Sequence, residues 1–409
     1  MKKKVISMVC TMAMAATILA GCSGEPVSST ESTTEAATEA ATETATEETT
    51  EASTEAEEST ESAALNIAIV SSPSGVDDGS FNQNNYEGIQ AFIAENPDST
   101  VTAVKEETGD STACYNTVEG IVADYDVIVC CGYQFAGIGP IAEENPDVDF
   151  ILVDSDPTDA DGNTAEYDNV YAMTFKEQES GFLAGIAAAM TTQTGKVAVV
   201  NGIAYPSNVN YQYGFMSGVN YSNKHYGTSA EVVEEASYAG TDVTGANVGG
   251  NYVGSFGDEA TGKIVGEALI GDGCDVIFVA AGASGNGVFT AVKEASTSEN
   301  PVYVIGCDVD QYNDGVNGDS NIILTSALKI MDKNVELQLN NIKNGTFKGA
   351  NDLLGADTDS TGFVSGEDCQ LSDEAVASIE EAYEGVKDGS IVPASNFGGT
   401  TPDDFVGLE

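Results

Sequence analysis

The sequence predicts an α/β protein with two lobes, each built on a mostly parallel β-sheet flanked by helices. Short apolar strands alternate with helical patterns from about residue 64 onward, and this alternation is typical of parallel sheets covered on both faces. The alternating part spans about 345 residues, more than one ordinary hydrophobic core contains, which favours two lobes. A second series of strands begins at residues 195–200, so we expect a seam between the lobes near residues 174–194.

The first 21 residues predict a lipoprotein signal peptide. Three lysines at positions 2–4 precede an apolar run over residues 5–20, which is too short for a permanent membrane span. The run ends in Leu-Ala-Gly-Cys22, which resembles the lipobox of bacterial lipoproteins. In such proteins the cysteine becomes the first mature residue and carries lipid. We therefore expect Cys22 to anchor the protein at the cell membrane, on its extracytoplasmic face.

Residues 22–63 predict a disordered tether rich in threonine and glutamate. The part from residue 24 to residue 63 contains twelve glutamates and no lysine, and it has almost no large apolar residues. Such a segment cannot offset its chain entropy by burial, and repulsion between like charges keeps it extended.

The composition excludes some classes of ligand and partner. A net charge of −52 disfavours nucleic-acid binding, which requires a basic surface. All fourteen basic residues are lysines, and the absence of arginine argues against a phosphorylated or carboxylate ligand. The eight cysteines form no C-x-x-C pair and there is one histidine, His225, so we expect no metal site and no cofactor. Cysteines within apolar runs are expected to be small buried residues.

Individual elements follow from the apolar periodicity. The predicted strands cover residues 66–70, 100–104, 127–131, 149–153, 170–174, 197–200, 276–280 and 302–307. The predicted helices cover residues 81–94, 115–123, 177–190, 209–223, 259–270, 287–295, 330–342 and 374–386. We expect a first lobe over residues 64–174, to which the chain returns at about 327–350. The second lobe is expected over residues 175–326 with part of 351–409.

The first predicted helix begins with a polar motif and an aromatic residue. Ser80-Phe81-Asn82-Gln83 has the S-x-x-Q form of a capping box, which predicts that Ser80 caps the helix. Phe81 then lies in the first turn, beside the C-terminal end of a strand, which is where open α/β sheets bind ligands. Two interpretations stay open: the ring lines a cleft, or it only packs the start of the helix against the core.

Polar residues also follow several other apolar strands. Asp154 and Asp156 close one strand, Asp308 and Asp310 close another, and Lys329 closes a third. Each residue alone is typical of a cap or turn. Because the carboxyl ends of parallel strands meet at one edge of a sheet, together they predict a cleft lined by carboxylates, one lysine and aromatics.

A cluster of glycines follows the strand at residues 276–280. Gly282, Gly285 and Gly287 do not form G-x-G-x-x-G, and the chain contains no P-loop motif, so neither nucleotide signature is present. These glycines allow either a close approach of the backbone to a small ligand or a tight strand-to-helix turn.

Six sequence blocks resemble, in order, those of the basic membrane protein family, the purine-nucleoside-binding lipoproteins of bacterial ABC transporters. The first is Asp77-Asp78-Gly79-Ser80-Phe81-Asn82-Gln83, and the later ones are FKEQESGFLAGIAAAMT, GSFGDEATGK, AAGASGNGVF, GCDVDQY and TSALK. The resemblance covers roughly residues 64–400. It implies the two-lobed fold of the type I periplasmic binding proteins.

The resemblance also implies roles for individual residues. A purine is held between two aromatic rings in this family, which implies Phe81 and Phe256, with Tyr211 as a competitor for the second position. The other residues implied at the site are the carboxylates Asp154 and Asp308, the lysine Lys329, and Asn82 and Gly282 at the border. Ser72 stands where the family usually has an aspartate that helps to read the base, so the base preference stays open.

The resulting hypothesis is a monomeric solute-binding lipoprotein that captures a purine nucleoside and delivers it to the permease and ATPase subunits of an ABC importer. The same fold binding a sugar or another neutral polar metabolite is the alternative. A nucleoside-processing enzyme that uses the aspartates is disfavoured, because the sequence has no nucleophile motif and no basic cradle for phosphate. An adhesive or sensory surface protein would also suit the tether.

Overall fold

The computed structural model describes residues 64–405. The predicted signal peptide, Cys22 and the whole of the predicted tether therefore lie outside the described residues. No helix in the described range is long and apolar enough to cross a membrane.

The first lobe contains a six-stranded sheet in which all neighbouring strands are parallel. Its strands are β1 (Asn66–Ser71), β2 (Thr100–Lys105), β3 (Val127–Cys131), β4 (Asp149–Val153), β5 (Val170–Phe175) and β16 (Ala350–Leu354), in the order β2-β1-β3-β4-β5-β16. Alternate residues of β1 enter different cores: Ile67 and Ile69 belong to one buried cluster, Ala68 and Val70 to another. This alternation buries both faces of the sheet.

The second lobe contains a larger sheet of the same kind. Its strands are β6 (Lys196–Asn201), β7 (Glu231–Val232), β10 (Asn251–Tyr252), β11 (Val276–Ala280), β12 (Tyr303–Asp308), β15 (Ile323–Lys329) and β17 (Thr361–Phe363). The order is β10-β6-β11-β12-β15-β17, and β7 also pairs with β6. Only the pairing of β15 with β17 is antiparallel among these strands. Two short hairpins, β8–β9 (Gly240–Thr241 and Asn247–Gly249) and β13–β14 (Val316–Asn317 and Ser320–Asn321), complete the strands of the described range.

Helices cover both sheets. Their bounds are α1 (Phe81–Glu95), α2 (Ser111–Ile121), α3 (Gly139–Glu144), α4 (Glu177–Thr191), α5 (Pro206–His225), α6 (Glu259–Gly271), α7 (Ala283–Ala295), α8 (Met331–Lys343) and α9 (Asp373–Lys387). In the first lobe α1 packs against α8, while in the second α4 packs against α5 and α9, and α6 against α7. All eight predicted strands and all eight predicted helices are present, so the α/β prediction is confirmed. The short α3, the hairpins and strands β7, β10, β16 and β17 were not predicted.

The chain passes between the lobes three times, after β5, after β15 and after β16. Backbone hydrogen bonds link the crossing segments to one another. Lys176 N donates to Leu354 O at 2.8 Å, and Ile330 N donates to Ser360 O at 3.0 Å. Since β15 belongs to the second sheet, we propose that the return to the first lobe comprises α8 and β16, residues 331–354, instead of 327–350. The three adjacent crossings form the hinge of the molecule.

Glycines bring α4 and α5 into direct backbone contact. A Cβ atom added to Gly185 would lie 2.1 Å from Phe215 O, and one added to Gly218 would lie 2.0 Å from Phe182 O. Real Cβ atoms do not approach so closely, so only glycine allows this spacing of the two helices. A Cβ atom added to Gly214 would lie 2.2 Å from Gln178 O, so the same close contact extends to the first turn of α4.

We expect Gly185→Ala to lower the free energy of unfolding by about 1–3 kcal/mol or more, because the added methyl group overpacks a rigid backbone contact. Gly120→Ala is the matched control, since Gly120 is also helical and has no atom within 4 Å of its added Cβ. The control should be neutral or stabilise by up to about 1 kcal/mol. Urea denaturation of the two variants measures both effects, and equal stabilities would contradict the helix contact described above.

Candidate functional site

The described residues form a cleft between the lobes, a cavity with about 560 Å³ of space not occupied by protein atoms, part of which is open to solvent. All nine residues predicted for the site line it, namely Ser72, Phe81, Asn82, Asp154, Tyr211, Phe256, Gly282, Asp308 and Lys329. Several further lining residues were not predicted, among them Ser74, Asp78, Tyr133, Gln134, Tyr205, Ser207 and Asn208. Asp156 and Asp310, which also follow strands, are not part of the lining.

A buried ionic cluster lies where the cavity meets the hinge. Lys329, the last residue of β15, is 2% exposed, and its Nζ donates to Asp154 Oδ2 at 2.6 Å and to Glu177 Oε1 at 3.2 Å. Asp154 follows β4 of the first lobe, whereas Glu177 begins α4 and also accepts a hydrogen bond from Asn210 at 3.1 Å. The lysine therefore joins carboxylates from both sides of the hinge. Glu177 was missed because in the sequence it is the first residue of an ordinary helix.

Burial and charge together shift the ionisation of this cluster. Burial raises the pKa of Glu177 to about 7, against the attraction of Lys329 and with help from the charge of Asp154. Burial alone would lower the pKa of Lys329, but the adjacent carboxylates outweigh it and raise that pKa above its ordinary value. The lysine therefore stays an ammonium group. Asp154 Oδ1 is buried and accepts no well-aligned hydrogen bond, although Nζ lies 2.5 Å away.

Both interpretations of Phe81 that the sequence left open apply in the structure. Its ring is half-buried and packs against the core of the first lobe, and it also lines the cavity. The Lys329 Nζ lies 5.1 Å from the ring centroid of Phe81 and 5.2 Å from that of Phe175. These are cation–π distances, so the ammonium group fixes the ring beside the cluster.

The predicted capping box at Ser80 is wrong, because Asp78 caps α1 instead. The Asp78 carboxylate accepts hydrogen bonds from the backbone amides of Ser80, Asn82 and Gln83 at 3.0–3.1 Å. Ser80 makes no side-chain capping bond, and Gln83 Oε1 accepts from Gly79 N. A charged carboxylate is the stronger partner for the positive end of a helix. In the sequence, Asp78 of the D-D-G-S motif is the residue that could have predicted this cap.

Asp308 is held by donors from both lobes. Tyr211 of α5 donates its hydroxyl to Asp308 Oδ1 at 3.0 Å, and Ser80 donates to Oδ2 at 2.8 Å. Asp308 has φ 69° and Asp154 has φ 64°, so both aspartates adopt the left-handed conformation at the end of their strands. Such backbone strain in non-glycine residues is concentrated at functional sites.

Phe256 and Tyr211 differ as candidates for the second aromatic surface. Tyr211 is 3% exposed and its hydroxyl is bonded to Asp308, whereas Phe256 is half-buried in the loop before α6. The Phe256 ring packs on Gly202, where a Cβ would lie 2.3 Å from the ring. Tyr205 lies 6.0 Å from the Phe256 ring and 5.2 Å from that of Tyr133 in the first lobe. The geometry favours Phe256 as the stacking candidate.

The remaining predicted residues belong to local structure around the cavity. Asn82 donates to Ser72 Oγ at 2.9 Å and accepts from Ser72 N at 3.2 Å, so its amide is engaged within the first lobe. Gly282 has φ 53° at the turn into α7. Gly287 instead serves helix packing, since its added Cβ would lie 1.9 Å from Glu259 O. A tight turn therefore explains the glycine at position 282, and close helix packing explains the glycine at position 287.

Within residues 64–405 there is no group of three His, Cys, Asp or Glu side chains that could hold a metal ion. The six cysteines of this range are free thiols, five of them buried.

Known proteins resemble this chain over most of its length. A family model for PnrA-like ABC transporter substrate-binding proteins matches residues 65–248 and 236–396. The chain is 30% identical over 342 residues to the CD4+ T-cell-stimulating antigen of Listeria monocytogenes, covering 81% of this chain and 88% of that protein. It is 29% identical to the ABC transporter nucleoside-binding protein BmpA of Lactococcus lactis, covering 85% and 87% of the two chains.

A solved structure of a solute-binding protein of an ABC transporter system from Aeropyrum pernix shares the fold. The TM-score is 0.67 at 23% identity, and the alignment covers 80% of this chain and 92% of that one. This similarity confirms the predicted two-lobed fold class.

The buried carboxylate of Glu177 predicts a specific pH dependence of stability. Its pKa in the folded protein, about 7, exceeds the ordinary value of 4.5, so the folded state binds more protons between these pH values. The wild-type protein should therefore lose unfolding free energy relative to Glu177→Gln as the pH rises from 4.5 to 7, by on the order of 3 kcal/mol. Denaturant titrations across this range measure the difference. Glu95→Gln, at an exposed position, is the control, and parallel curves for Glu177→Gln and wild type would contradict the assignment.

Proposed function

The chain belongs to the PnrA-like, or basic membrane protein, family of ABC transporter substrate-binding proteins, and we propose that it captures a purine nucleoside and delivers it to a membrane permease. The observation that carries this proposal is the inter-lobe cavity, which combines an aromatic ring from each lobe with a carboxylate and lysine cluster. The flat face and the vicinal hydroxyls of a nucleoside match these two kinds of surface.

Phe81 and Phe256 are the proposed stacking surfaces for the base. Both rings line the cavity, one from each lobe, and both are half-buried. Stacking of a base on an aromatic side chain contributes about 1–3 kcal/mol and requires no particular base. A ligand held between the two rings would favour the closed arrangement of the lobes, because only that arrangement offers both contacts.

Asp308, Asp154 and Lys329 are the proposed partners of the polar part of the ligand. A carboxylate has about four acceptor sites, so Asp308 keeps acceptor capacity after its bonds to Tyr211 and Ser80. Both oxygens of Asp154 lie within 2.6 Å of the Lys329 Nζ, so a hydroxyl or amine of the ligand would bind the lone pairs that this ion pair leaves. Three lining carboxylates face a single lysine, which favours a neutral ligand over an anion.

The cellular context follows from the family. Membership implies a small-molecule ligand, an extracytoplasmic location, and permease and ATPase subunits as partners. A nucleoside is consistent with the relative from Lactococcus lactis that is named a nucleoside-binding protein. We further propose that lipid on Cys22 anchors the protein and that it acts as a monomer without enzymatic activity.

A ligand panel tests the proposal. Thermal unfolding is measured with inosine, guanosine, adenosine and cytidine, and with ribose and galactose as the sugar arm. A nucleoside at 100 times its Kd should stabilise the protein by about 2.7 kcal/mol. Stabilisation by sugars alone would replace the nucleoside proposal with the alternative ligand class, and release of free base during incubation would contradict a purely binding role.

Replacing Asp308 should weaken ribonucleoside binding by orders of magnitude. Each charge-assisted hydrogen bond contributes roughly 1.5–3 kcal/mol, and the proposed carboxylate accepts two of them from the sugar. Calorimetric titration of Asp308→Ala with inosine and with 2′-deoxyinosine should show the smaller loss for the deoxy ligand. Asp310→Ala, at an exposed position outside the cavity, is the control. Equal losses for both sugars would refute the assignment.

Replacing Phe81 should separate binding from stability. Phe81→Ala should sharply weaken nucleoside binding, whereas Phe81→Tyr keeps the stacking face and should retain most of it. Phe92 of the same helix is fully buried, so Phe92→Ala should cost about 3–5 kcal/mol of stability. The half-buried Phe81 should cost less when truncated. A Phe81→Ala protein that melts as early as Phe92→Ala, yet binds normally where folded, would show that the ring serves only the core.

A further inference from the structure

Ser80 lies where the two lobes meet, and its side chain does not cap α1. It immediately precedes α1 and is 4% exposed. Because Asp78 accepts from the backbone amides at this helix end, the Ser80 hydroxyl is available for another partner. It donates to Asp308 Oδ2 at 2.8 Å, with Cys307 O at 3.4 Å as a longer alternative.

The two oxygens of Asp308 therefore have donors of different origin. Tyr211 donates to Oδ1 at 3.0 Å and the Cys307 thiol at 3.5 Å; both belong to the same lobe as Asp308 and stay with it in any arrangement of the lobes. Ser80 belongs to the first lobe and reaches Oδ2 only when the lobes are closed. Donors on both oxygens fix the plane of a carboxylate, whereas donors on one oxygen alone let the other oxygen move. The orientation of Asp308 is thus complete only in the closed form.

Neighbouring bonds cross the cleft at the same place. Gln311 Nε2 donates to Gly79 O at 3.1 Å, and Ser74 Oγ donates to Phe256 O at 3.0 Å. One first-lobe loop, residues 72–80, thus contacts two second-lobe loops through side-chain hydrogen bonds. All of these bonds are formed between protein atoms, so they stabilise closure without any contribution from a ligand.

We propose that Ser80 is a positioning residue that couples lobe closure to ligand recognition by completing the orientation of the Asp308 carboxylate. The coupling rests on the proposed role of Asp308 as a ligand acceptor. In the open form Asp308 keeps donors on Oδ1 only and binds sugar hydroxyls poorly. On closure the Ser80 hydroxyl orients the carboxylate and also strengthens the closed state.

The first test needs no ligand. Small-angle X-ray scattering of the ligand-free protein compares wild type with Ser80→Ala, which should shift the population toward the open form and increase the radius of gyration. Ser99→Ala is the matched control, because Ser99 is equally buried at 4% but bonds only within the first lobe, to Leu65 N. Unchanged scattering of Ser80→Ala would overturn the contribution of Ser80 to closure.

The second test measures the coupling. Ser80→Ala should weaken inosine binding by about 10- to 100-fold, the range expected for one hydrogen bond to a charged group. It should also reduce the preference for inosine over 2′-deoxyinosine, which a purely structural defect would leave intact, as Ser99→Ala should. An unchanged preference in Ser80→Ala would overturn the positioning role. A wild-type protein that binds no nucleoside would instead refute the proposed function, while the scattering comparison would still decide the closure role of Ser80.

Discussion

The buried ammonium group of Lys329 is the interaction on which the arrangement of the site depends. Removing this charge from water is unfavourable unless carboxylates surround it, and Asp154 and Glu177 supply them from opposite sides of the hinge. The same group contacts the Phe81 ring. One side chain thus fixes the end of β15, the start of α4, the end of β4 and the first turn of α1 relative to one another.

The remaining features of the site are consequences of holding these elements close together. The glycines between α4 and α5 let the two backbones touch, which places Asn210 against Glu177 and Tyr211 against Asp308. Asp154 directly follows β4 and Asp308 ends β12, and each of these strands is fourth in the spatial order of its sheet. Both aspartates adopt the left-handed conformation. This equivalence gives the cavity one strained carboxylate from each lobe, so its chemistry is complete only when both lobes contribute.

The sequence predicted the fold from patterns along the chain, and it predicted nine of the residues that line the cavity from those patterns together with the family resemblance. Alternating apolar strands and helices identify parallel sheets, and polar residues after those strands, such as Asp308 and Lys329, must meet at one edge. The contacts that depend on distant segments were missed. Glu177 looks like an ordinary helix start, and no local pattern indicates that the Ser80 hydroxyl bonds Asp308 of the other lobe. The cap of α1 was assigned to Ser80 instead of Asp78 because the S-x-x-Q pattern fits a capping box. The hairpins escaped prediction because strands of two or three residues carry no periodicity.

A crystal structure of the protein with inosine bound tests the account most directly. The account predicts the purine between Phe81 and Phe256, with sugar hydroxyls donating to Asp308 and with the Lys329 cluster intact behind them. A purine bound outside this cavity, or bound within it with the ribose turned away from Asp308, would contradict the account.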